Sequence, residues 1–131
     1  MRALISTLLL AAAGKTLACG YCVEDKIAAT YDHAVLTQAF ARKHQVAFLH
    51  VDGGTPTRQA LERAAYAAGA DKGSVRVAAD LLTVSFAFDP ARAPLGAIHV
   101  RMEKALAAQR VSLMPFQVID QPGQLKALKG L

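Results

Sequence analysis

The sequence predicts an α+β protein, a βαββαβ sandwich preceded by a long N-terminal helix, on three observations. Apolar residues recur every four positions from Cys22 to His44, with no Pro or Gly between. Two β-rich runs, 45–51 and 81–88, each lead through a turn rich in Gly or Pro into a helical run. The segments 74–79 and 81–88 read as two antiparallel strands joined by a short turn at Asp80. At 131 residues, 53% of them apolar, the chain has room for one domain with a buried core and a short appendage.

The chain opens with Met1-Arg2, a short positive stretch, followed by the apolar run "ALISTLLLAAA" at 3–13. That run has the length of a signal-peptide core and is short for a membrane span. "TLA" at 16–18 supplies the small-x-small pattern that a signal peptidase reads. Residues 1–18 are therefore read as a signal peptide, and Cys19 as the first residue of the mature chain. The expected location is periplasmic or otherwise exported, where disulfides can form. A second reading stays open beside it: "TLAC" resembles the lipobox ahead of a lipidated cysteine, with Thr16 where Leu is usual. A lipidated Cys19 would anchor the protein to a membrane and could not serve as a thiolate.

Residues 19–44 hold the C-x-x-C pair and the helix. Val23, Ile27, Tyr31, Val35 and Ala39 form its stripe, widened by Ala28, Leu36 and Phe40. Glu24 and Asp25 in the first turn and Arg42-Lys43-His44 in the last suit the helix dipole. "QVAFLHV" (45–51) is the first strand, and "GGTPT" (53–57) a turn with Thr55 as N-cap and Pro56 at the first helical position. "RQALERAAYAA" is helical and stops at Gly69. In "LLTVSFAF" (81–88), Leu82, Val84, Phe86 and Phe88 share one side, and Thr83, Ser85 and Ala87 the other. After the loop "DPARAP", a helix over 95–110 carries Leu95, Ile98, Met102 and Ala105 on one face. "LMPFQVID" (113–120) is the last strand, and 121–131 a tail. The order β-α-β-β-α-β is the ferredoxin-like split βαβ arrangement. Right-handed crossovers place both of its helices on one face of the sheet.

The formal charge is +5, and it falls to +3 once Arg2 and Lys15 leave with the signal peptide. The remaining basic residues are interspersed with acidic ones, and Trp is absent, so neither a phosphate-binding patch nor a base-stacking platform is expected. No nucleic-acid partner is predicted. The chain has no G-x-S-x-G, no phosphate-binding Gly-rich loop and no H-x-x-x-H pair, and its carboxylates are spread out. It is not expected to be an enzyme.

Residues 46–119 resemble the heavy-metal-associated (HMA) domains of copper chaperones and metal-pumping ATPases, through "VAFLHVDGGTPTRQALERAAYAAGADKGSVRVAADLLTVSFAFDP" and the later "RMEKALAAQ". The HMA-like unit is assigned to 45–120. In that family the first strand enters a G-M-x-C-x-x-C loop whose two thiolates hold a soft ion. Here the loop reads Gly53-Gly54-Thr55-Pro56-Thr57-Arg58-Gln59, with Pro56 and Gln59 at the cysteine positions, so soft ions find no thiolate there.

Cys19 and Cys22 are the only cysteines, and they are the candidate metal ligands. At a helix N-terminus, unpaired N–H groups and the dipole lower a thiol's pKa, against which Glu24 and Asp25 act. Two such thiolates can converge on Cu(I), the expected ion, with the α-amine of a processed Cys19 as a third donor. The expected partners are the metal ion and, by the resemblance, a metal-transporting ATPase or another HMA-like domain, with a homodimer as an alternative. His33 would lie about 16 Å from Cys22 along a straight helix and cannot share its site. His44 is expected at a helix end, and His99 beside the last helix's apolar stripe. His50 shares a strand face with Phe48 and Val46, where an N-terminal arm folded back could reach it. Met102 and Met114 are read as packing. Two other functions remain. C-G-Y-C also resembles the motif of thioredoxin-like periplasmic isomerases, so a thiol–disulfide exchange role stays open. So does an interaction module whose cysteines are structural or lipidated.

Overall fold

The computed structural model describes residues 23–124. The segment read as a signal peptide or lipobox, both cysteines and the end of the tail lie outside the described residues. Two helices, α1 (Val23–Thr30) and α2 (His33–Ala41), come first. They are followed by β1 (Gln45–Gly53), α3 (Arg58–Ala68), β2 (Arg76–Ala78), β3 (Thr83–Phe88), α4 (Leu95–Ala105) and β4 (Val111–Ile119). The strands form one antiparallel sheet in the order β2-β3-β1-β4. The fold is α+β, a four-stranded antiparallel sheet with four helices.

The single helix expected over Cys22–His44 is instead two. Asp32 breaks it: its backbone is extended (φ −139°, ψ 112°), and its carboxylate accepts from the N–H groups of Ala34 and Val35, as an N-cap does. Asp32 Oδ2 also accepts from Arg76 Nε and Nη2, at 3.0 and 2.8 Å. The apolar period survives the break because Ile27, Val35, Leu36 and Ala39 all enter one cluster. Arg42, Lys43 and His44 lie beyond the helix, with Lys43 left-handed at φ 60°.

The hydrogen bonds from Arg76, and then those from the α2 backbone, hold the Asp32 carboxyl below its ordinary 3.8. A depressed carboxylate contributes stability that is complete above its unfolded pKa and fades as pH falls through the lower folded value. Asn also caps helices well, so Asp32→Asn isolates the Arg76 pairing. The variant is expected to lose under about 1 kcal/mol near neutrality, as a half-exposed ion pair does. That loss should shrink below pH 3.8, a trend that urea melts at several pH values would read.

Each face of the sheet has its own core. On the first, α3 and α4 cover Leu49, Val51, Val84, Phe86 and Phe88 with Leu61, Ile98 and Met102. Thus Val84, Phe86 and Phe88 share the face predicted for them. Leu82 does not: it sits in the turn before β3 at φ 49° and is exposed. On the second face, α1 lies against β2 and β3, and α2 against β3 and β1. Their core joins Ile27, Val35, Leu36 and Ala39 to Val46, Phe48, Ala87 and Ile119. Thr83 and Ser85 are buried on this face beneath α1, where an unpaired hydroxyl would cost about 1–3 kcal/mol. Both are paired: Ser85 Oγ donates to the Thr30 carbonyl and Thr83 Oγ1 to that of Leu81.

Other expected boundaries move by a few residues. Thr57, not Thr55, caps α3: its side chain accepts from Ala60 N–H, which places Pro56 outside the helix. The helix expected to reach residue 110 ends at Ala105, and a 3-10 turn at Ala107–Gln109 with left-handed Arg110 starts β4 at Val111. Ala105 is exposed, and Leu106 takes the buried position instead. The edge of β4 is blunted, since Glu103 accepts from Leu113 N–H and Pro115 has no N–H to offer. At the far end of the sheet His44 Nδ1 donates to Asp71 Oδ2 at 2.6 Å, with Asp89 Oδ2 3.7 Å from its Nε2, so one ring ties three connections together.

Candidate functional site

Cys19 and Cys22 are outside the described residues, but Val23, bonded to Cys22, opens α1. The direction of α1 follows from two contacts. Its last residue, Thr30, accepts from Ser85, which pairs with Phe48. One turn earlier, Lys26 reaches His50, which pairs with Thr83. The N-terminus of α1 therefore points toward the end of the sheet where β1 runs out into Gly53 and Gly54. The two glycines are required there: a Cβ on Gly53 would overlap the Arg110 carbonyl oxygen, and one on Gly54 that of Gln109. Pro56 lines an apolar groove of about 200 Å³ with Val51, Thr55, Leu61, Val77 and Leu82. Gln59 is exposed on the first turn of α3.

His50 is the histidine nearest the start of α1 by these contacts. Lys26 Nζ donates to its Nδ1 at 2.7 Å and stands 5.8 Å from the centre of the Phe116 ring. An ammonium can only donate, so Nδ1 carries the lone pair and Nε2 the hydrogen. Desolvation, with help from Lys26 and against Asp52, lowers the pKa of the ring below 6.5 and keeps it neutral.

Met114, expected to pack, is the exposed member of the methionines read that way: it is 61% exposed, whereas Met102 is fully buried between α4 and the sheet. Met114 is the direct cross-strand partner of His50. Sequence periodicity missed it because Pro115 and a register shift between Phe48 and Leu49 break the alternation of β4. Lys26 was missed too, since its partner lies on a strand remote in sequence. Its only local signal is its position one helical turn after Cys22.

The remaining histidines are held elsewhere. His33 opens α2 on the surface, where its ring nitrogens meet Tyr31 Oη and Thr37 Oγ1. His99 Nε2 is 3.3 Å from Glu103 Oε1 in a geometry too poor for a hydrogen bond. Among the described residues, no group of three or more His, Cys, Asp or Glu side chains is placed to hold a metal ion. Among them too, no helix is long and apolar enough to cross a membrane. In comparisons with known proteins, no family model, no curated protein and no solved structure matches the chain.

Proposed function

We propose that this chain is an exported, non-enzymatic protein that binds or relays a soft metal ion, Cu(I), through Cys19 and Cys22. Its body is a ferredoxin-like βαββαβ domain resembling the HMA type. The segment ahead of it, read from sequence as one helix, is folded as two helices over the second face of the sheet. The body serves as a docking surface for a metal-transporting ATPase or another HMA-like domain, and the periplasm is the expected compartment.

One observation carries this reading. The helix that begins directly after Cys22 points its N-terminus to the end of the sheet that bears the Gly53–Gln59 loop, where HMA domains keep their cysteines. In this reading the thiols come from the preceding segment, because Pro56 and Gln59 supply none in the loop. Chemistry supports it as well, because two thiolates at a helix start suit a soft monovalent ion in near-linear geometry.

A chelator competition for Cu(I) tests the proposal. The full chain is expected to compete, and the Cys19→Ser/Cys22→Ser variant to lose that binding. Equal retention of copper by the variant would overturn the function. A readily reversible disulfide that turns over a scrambled substrate would favour thiol–disulfide exchange instead.

A further inference from the structure

We propose that His50 and Met114 form a soft-metal ligand pair on the sheet, and that Lys26 competes with the ion for the His50 lone pair. The inference deepens the proposed function, on which it rests.

Three features lead to it. The residues are direct cross-strand partners on neighbouring strands, so their Cβ atoms stand about 4.5–5.5 Å apart on one face. At that separation a flexible thioether can reach an ion held by the imidazole. Their chemistry matches the ion, since thioethers select Cu(I) and Ag(I) and imidazole accepts both. Met114 is also exposed, so an ion can approach its sulfur from solvent.

The third feature is the ammonium of Lys26. It already places a positive charge on the Nδ1 lone pair and near the aromatic ring of Phe116. The position is thus one where the protein stabilises a cation. A metal ion bound to Nδ1 must take the place of Nζ, while Nε2 keeps its hydrogen.

The competition predicts effects of opposite sign. In a Cu(I) competition against a chromophoric chelator, with the full chain, His50→Gln and Met114→Leu should each weaken binding by about tenfold. Lys26→Met, which keeps the aliphatic stem, should tighten it. Met114 is exposed, so Met114→Leu is not expected to disturb folding, and no loss of fold accounts for a gain in Lys26→Met. Titration with Ag(I) should shift the ε-methyl resonance of Met114 and leave that of buried Met102 in place. Unchanged affinity in Met114→Leu, weaker binding in Lys26→Met, or a stationary Met114 methyl would each overturn the pair. The proposed function fails separately, on undiminished binding by the Cys19→Ser/Cys22→Ser variant. In that variant the Met114 methyl still reports on the pair.

Discussion

Replacing Phe48 by alanine is expected to destabilise the protein by about 3–5 kcal/mol. The side chain is 1% exposed at the centre of the second core. Its ring lies 6.4 Å from that of Phe116, tilted by 48°. Ile27, Val35, Leu36, Ala39, Val46, Ala87 and Ile119 complete the cluster. The residues that would have to collapse into the cavity come from two helices and three strands, so little of the lost packing can be recovered. Urea unfolding measures the effect. A loss below about 1 kcal/mol would mean that α1 and α2 are not integral to the core. That result would remove the basis for placing the start of α1 at the loop end of the sheet.

The second large effect is expected from Gly54→Ala, a loss of about 3 kcal/mol. The new methyl group meets the carbonyl oxygen of Gln109. A backbone atom cannot rotate away, so relief requires the turn at 107–110 to separate from the end of β1. Gly96→Ala is the control, because a Cβ there meets nothing within 4 Å. It should leave stability unchanged or slightly raised. If Gly54→Ala is as mild as the control, the close approach of the two backbones is wrong. The pair Gly53-Gly54 thus has a structural duty that is independent of any metal in the loop.

Much of the architecture was legible because local signals and burial agree. The α3 helix keeps the run Arg58–Ala68 and stops at Gly69, φ 124°, as read, and only its cap moves from Thr55 to Thr57. The alternation along β3 assigned Val84, Phe86 and Phe88 to one core correctly. The break at Asp32 escaped because an unbroken apolar period outweighed a good N-cap, and the period continues only because both helices lie on the same core. A burial pattern records which side faces inward and is insensitive to a turn that preserves it. Met114 and Lys26 escaped for a different reason: their significance is tertiary, set by the pairing of β4 with β1 and by the packing of α1. The C-x-x-C pair was the reverse case, plain in sequence and outside the described residues.

The most direct measurement is a native mass spectrum of the protein exported by a copper-replete host. It reports processing, cysteine chemistry and metal content together. The account predicts a chain beginning at Cys19, without lipid, carrying one copper ion that is absent from the Cys19→Ser/Cys22→Ser variant. A copper-free chain with a lipid on Cys19, or with a Cys19–Cys22 disulfide, would contradict it.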